Sequence, residues 1–200
     1  MKKSYENLYE TITTALVEQG YIVIDDALES LVCAELMQHA MKLQEYKHAG
    51  ISSSANLQVN KQRRRDKIHW LDENHPTEKK FLAFSEGLRV YLNRHLFLGL
   101  SYYEAHFAKY EVGDFYEKHL DAFQHSKNRV VTTVYYLNEG WSKEDGGEIV
   151  LYDEKDNQLQ TLLPTANRLV VFLSEKFPHE VQPANTTRHS IAGWFRVDKR

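Results

Sequence analysis

Three side chains of metal-ligand type are spaced so that they could share one ion. His119-Leu120-Asp121 sets an imidazole and a carboxylate at i and i+2. On an extended segment such a pair projects from one face and can hold a cation jointly. Alone it suits an exposed turn with a charge pair equally well, because ligand-type residues at short spacing are common. About sixty residues further on, His179 stands in Phe177-Pro178-His179-Glu180-Val181, after the apolar run Arg168 to Leu173. Two imidazoles and one carboxylate on one side of an ion leave its other positions open to exogenous ligands.

A second chemical signal is Arg188, nine residues after His179. Alternation puts Arg188, Ser190, Ala192, Trp194 and Arg196 on one face of the last run, with Ile191, Gly193 and Phe195 on the other. The small side chains beside the arginine leave room for an anion, and its planar fork matches a carboxylate bidentately. A structural salt bridge would account for a single arginine equally well. Tyr136 can add a hydroxyl donor to the same carboxylate, although strand aromatics are also common for packing alone.

These groups need a scaffold, and the periodicity supplies one. Apolar residues recur at three and four in Leu8, Ile12, Ala15 and Leu16, which predicts a helix stopped by Gly20, and again in Leu31, Ala34, Leu36, Ala40 and Leu43. Tyr21 to Ile24 reads as a short strand, Lys67 to Leu71 as another, and Thr77 to Leu96 as a third helix. From Ser101 the period becomes two. Strands are expected at Tyr102 to Tyr110, Arg129 to Leu137, Glu148 to Tyr152, Gln158 to Leu163, Arg168 to Leu173 and Arg188 to Val197. The reading is an α+β fold, a double-stranded β-helix (jelly roll) with the N-terminal helices packed on one sheet. One domain over 1–200 is expected, 1–97 mainly helical support and 98–200 the jelly-roll core. The polar stretch Gly50 to Arg65 reads as an exposed loop, and its basic end, Lys61 to Arg65, as a solvated face or a substrate-docking patch.

The combination of HxD, a distant His and an Arg nine residues later resembles the 2-oxoglutarate- and Fe(II)-dependent dioxygenases. The nearer likeness is to prolyl 4-hydroxylases of the hypoxia-sensing type and their bacterial relatives. It rests on Tyr135-Tyr136-Leu137-Asn138, Gly146-Gly147, Pro178-His179-Glu180-Val181-Gln182-Pro183-Ala184, Thr187-Arg188 and Arg65-Asp66-Lys67-Ile68-His69-Trp70. The resemblance implies that His119, Asp121 and His179 bind Fe(II), and that Arg188 and Tyr136 hold the distal carboxylate of 2-oxoglutarate. It implies that Thr132 and Val134 line that pocket, that Tyr110 stands beside iron and cosubstrate, and that Trp194 lies near the substrate. It also implies a substrate lid over 50–65, ending at Arg65 and braced by a charged pair of Asp66 with Arg129. The activity implied is hydroxylation of a prolyl residue in a protein or peptide, consuming O2 and 2-oxoglutarate, releasing succinate and CO2, with ascorbate as reductant. A small-molecule hydroxylase, for example of a free amino acid, or a metal- and oxoglutarate-binding sensor without turnover, are the competing readings.

Composition bounds the partners. A net charge of -3 gives no electrostatic case for nucleic acid. No apolar run approaches the roughly 20 residues of a membrane span, and a lone cysteine, Cys33, in a helical pattern suits a buried thiol in a reducing cytoplasm. The other histidines, His39, His48, His69, His75, His95, His106, His125 and His189, read as helix-surface, loop or core positions; His106 and His125 alone could approach the site.

Overall fold

A computed structural model describes residues 5–49, 51–53, 56–58, 63–122 and 128–198. Its helices are α1 (Glu6–Glu18), α2 (Ser30–Lys42) and α3 (Pro76–Leu96). The strands preceding the roll are β1 (Tyr21–Ile24), β2 (Lys47–His48), β3 (Ile51–Ser53), β4 (Asn56–Gln58) and β5 (Lys67–Trp70). Those of the roll are β6 (Tyr102–Tyr110), β7 (Tyr116–His119), β8 (Arg129–Tyr136), β9 (Ile149–Tyr152), β10 (Gln158–Leu162), β11 (Leu169–Leu173), β12 (His179–Val181) and β13 (Arg188–Arg196). A larger sheet runs β1-β11-β8-β13-β6-β5-β2 and a smaller one β10-β9-β12-β7.

Alternation on the central strands decides which side chains meet. β8 sends Val131 and Tyr135 toward the helices, and Val134 and Tyr136 between the sheets. β13 likewise sends Ile191 and Phe195 outward. There Ile12 and Leu16 of α1, Leu36 of α2, and Phe81, Phe84, Leu88 and Leu92 of α3 close over them. Each fully buried apolar side chain of this size contributes about 1.5–3 kcal/mol. Between the sheets, Val134, Tyr136, Val170 and Phe172 pack on Ile149 and Leu151 of the smaller sheet. The result is the expected jelly roll with its helices on one sheet. Pro76 opens α3 at a position where its missing N–H is no loss. Gly193 leaves the space that the Tyr103 hydroxyl fills; a Cβ there would collide with it.

The stretch 50–65 departs from the expected loop: β3 and β4 pair antiparallel, Ile51 opposite Gln58. Backbone hydrogen bonds alone can hold such a pair, and the polarity of its residues carries no signal of them. Residues 50, 54–55 and 59–62, parts of the expected lid, lie outside the described residues.

Asn167, in the left-handed region at φ 64, ties the helical layer to the sheet. Its Oδ1 accepts from the Leu28 amide (2.9 Å) and from the Tyr135 hydroxyl (2.8 Å), and its Nδ2 donates to Leu28 O (3.0 Å). Asn167→Ala loses all three bonds in a buried setting and keeps a strained backbone. We expect a loss of about 2–4 kcal/mol in urea unfolding with an unchanged slope.

Candidate metal and dicarboxylate site

Register brings the first two ligands together. β7 and β12 pair so that His119 lies directly opposite His179, ring centroids 4.3 Å apart. Asp121, just beyond β7, turns its carboxylate between them, 3.6 Å from each Nε2. All three donors lie within 4.8 Å of one another. Each ring is oriented from behind: His119 Nδ1 contacts Glu117 O at 2.8 Å, and His179 Nδ1 contacts Phe177 O at 3.1 Å. Donation from both Nδ1 atoms would leave Nε2 as the free lone pair on each ring. Thr132 donates to Asp121 Oδ2 at 2.9 Å, itself held by Ser174. Burial opposes ionisation of Asp121, but His179, His119 and Arg129 outweigh it and hold its carboxyl at about 2. Burial and the neighbouring His179 hold His119 down at about 3. A neutral imidazole and an ionised carboxylate are the forms that ligate. Two nitrogens and one carboxylate oxygen on one side of an ion fit Fe(II).

These ligands open on a cavity of about 560 Å³ between the sheets. On its far wall Arg188 is 1% exposed. Its Nε donates to Gly147 O (2.9 Å) and its Nη1 to Ser190 Oγ (3.2 Å), while its guanidinium lies over the rings of Tyr110 (4.7 Å) and Tyr136 (5.1 Å). Among the described residues no Asp or Glu pairs with it. The Tyr136 hydroxyl is fully buried and has no hydrogen-bond partner among the described residues. Burial pushes that phenol up to about 12 against the pull of Arg188, so it is a donor at neutral pH. Tyr110, opposite Arg188 in the β6–β13 register, is raised by burial as well. Gly147, at φ +69, admits the arginine; a Cβ there would lie 3.0 Å from Arg188 Cδ. Thr132 and Val134, next on the inward face of β8, line the same cavity.

The rim differs from expectation. Asp66, 1% exposed, is held bidentately by Arg64 at 2.5 and 2.8 Å, not by Arg129. Arg129 instead lies 3.7 Å over the Trp194 ring and reaches Glu104 at 3.2 Å. Arg64 is nearer in sequence and shares the face of Asp66 at i and i+2, so it takes the carboxylate first. Nor is the basic run simply solvated: Arg64 stacks on Tyr116 (4.6 Å), which stacks on His119 (3.6 Å). Arg65 lies over Phe115 at 4.8 Å, turned toward the β7 side.

The sequence pattern of the 2OG-Fe(II) oxygenase superfamily matches residues 105–196. A Pseudomonas putida prolyl-4-hydroxylase is 34% identical and superposes with a TM-score of 0.87, covering 96% of this chain and 100% of that one. The chain belongs to the 2OG-Fe(II) oxygenase superfamily. A Trichoplax adhaerens prolyl hydroxylase, solved with a hypoxia inducible factor oxygen degradation domain peptide fragment, is 26% identical at TM-score 0.86, over 98% of this chain and 94% of that one. Egl nine homolog 1 of Rattus norvegicus is 40% identical over 91 residues, 44% of this chain. The match spans 27% of that curated relative's length. Fe(II) and 2-oxoglutarate thus fit both the family and the donor set in this oxygenase.

Sequence reasoning missed Arg64 and Tyr116, although their spacings to Asp66 and His119 were there to be read. His125 lies outside the described residues, whereas His106 lines the oxygenase cavity between Trp70 (5.1 Å) and Trp194 (5.4 Å). Burial, then the charge of Arg64, holds His106 down at about 3. An unfolded histidine titrates near 6.5, so between these values the native state binds fewer protons and stability falls as pH falls. Replacing His106 by Phe should flatten this limb by about 1–2 kcal/mol between pH 7 and 5 in paired urea titrations.

Proposed function

We propose that this chain is an Fe(II)- and 2-oxoglutarate-dependent dioxygenase that hydroxylates a prolyl residue of a protein or peptide, acting as one catalytic unit. The observation that carries it is a buried Arg188, held only by neutral acceptors and with no acid paired to it among the described residues, beside the partnerless Tyr136 hydroxyl in the cavity onto which His119, Asp121 and His179 open. A diacid gives both a partner, and the open side of the triad gives its other end a ligand position.

In this reading His119, Asp121 and His179 hold iron. Arg188 and Tyr136 take the distal carboxylate, with Thr132 and Val134 as walls and Tyr110 beside the cosubstrate. Bound iron supplies the reduction of O2, coupled to decarboxylation of 2-oxoglutarate to succinate and CO2, that adds one oxygen atom to a C–H bond. The chain's own contribution is placement and exclusion of water. Trp194 and His106, both buried, and Trp70, half exposed at the mouth, form an aromatic approach on which a prolyl ring can pack. Arg129 fixes the Trp194 plane from above, and Arg64 and Asp66 hold the chain entering β5. The peptide-bound Trichoplax relative supports a protein or peptide substrate. Ascorbate is the proposed reductant. Cys33, a buried free thiol, is compatible with a cytoplasmic location.

The test is succinate formation with Fe(II), 2-oxoglutarate, ascorbate and prolyl peptides, together with mass spectrometry for one added oxygen on proline. Turnover with free amino acids but no peptide would instead support the small-molecule reading, and no decarboxylation under any condition would sink the enzyme. His179→Ala should lose both metal affinity and succinate formation. Arg188→Ala should raise the dissociation constant for 2-oxoglutarate about 100-fold, the scale of losing roughly 3 kcal/mol of charge-assisted bonding, while metal affinity stays within a few fold. Calorimetry on the Mn(II)-loaded variants checks both.

A further inference from the structure

We propose that His39, His75 and Glu78 form a second divalent-cation site, suited to a borderline ion of the zinc class, that pins α2 to the start of α3. His39 comes from α2, His75 precedes α3 and Glu78 lies in its first turn. Their donor atoms all lie within 4.8 Å of one another. Two imidazoles and a carboxylate are a donor set that zinc accepts, with water completing a tetrahedron.

The carboxylate is already placed for this. Glu78 is 2% exposed; its Oε1 meets His39 Nε2 at 2.6 Å, and its Oε2 accepts the Asp72 amide at 2.5 Å. That amide orients the carboxylate from outside, as partners of metal ligands do. A simple His39–Glu78 ion pair leaves His75 unexplained. Its Nδ1 is buried, lacks a hydrogen-bond partner among the described residues and stands 3.9 Å from Glu78 Oε1. Its ring stacks on His39, centroids 3.9 Å apart, so both rings present an edge to the same carboxylate.

Ligands at about 2.1 Å in a tetrahedron stand about 3.4 Å apart. Reaching this from 2.6 and 3.9 Å needs movements below an ångström, and the stacked rings must tilt so that each lone pair aims at the ion. His75 can tilt, since its side chain is 40% exposed and makes no capping bond to α3; that exposure is also the ion's way in.

Metal-stripped wild type, His75→Ala and His179→Ala are titrated with cobalt(II) in a calorimeter, and each is melted with and without zinc. The expected stoichiometry is two ions per wild-type chain and one in each variant, and zinc should raise the Tm of His179→Ala but not of the double variant His75→Ala/His179→Ala, melted alongside. One ion per wild-type chain that His179→Ala loses, or two retained by His75→Ala, would overturn the site, whereas a single ion lost only in His75→Ala would instead count against the His119–Asp121–His179 site.

Discussion

A guanidinium fully removed from water, with no acidic partner among the described residues, is the constraint to which the rest of the roll answers. Left alone, such a charge would cost several kcal/mol, more than most single contacts in a protein return. Arg188 keeps two neutral acceptors, Gly147 O and Ser190 Oγ, and two aromatic faces. These hold the fork in place without neutralising it. Nearby features give it space: a glycine where a Cβ would touch Cδ, and small Ser190 and Ala192 along its strand. The same alternation that sends Ile191 and Phe195 to the helices sends the arginine inward. Function and folding therefore draw on one strand with two faces.

At the other end of the cavity the charge balance is reversed. Asp121 is one anion facing two imidazoles and Arg129, arranged by strand register rather than by a flexible loop. Orientation passes outward through backbone carbonyls behind each histidine and through Ser174 and Thr132 behind the aspartate. The stack Arg64–Tyr116–His119 extends this to the rim, where Asp66 neutralises the outermost charge. A cation and a dianion entering between these poles meet complementary charge at each end.

Much of this was legible because long elements repeat their signal. Helix α3 and strands β6, β8 and β13 were read from period alone to within a residue or so at each end, and the β13 alternation already placed Arg188, Ser190, Ala192 and Trp194 together. Strands β7 and β12, of four and three residues, are too short to show a period, so His119 and His179 were recognised by residue type and not by element. The facing of those two histidines is a register fact, invisible without the sheet. The Asp66–Arg129 pairing failed for a related reason: resemblance names which charges matter, but the partner is settled by distance, and Arg64 was closer. The His39–His75–Glu78 cluster joins residues up to 39 apart through the packing of two helices, which no local pattern announces.

The most direct test of the account uses the ligand rather than the protein. Calorimetry on the Mn(II)-loaded chain should compare 2-oxoglutarate with 2-oxobutanoate, which shares the keto-acid head and lacks the distal carboxylate. If Arg188 and Tyr136 exist to receive that carboxylate, the monoacid should bind about 100-fold more weakly. Equal affinities would mean that the buried guanidinium has another purpose.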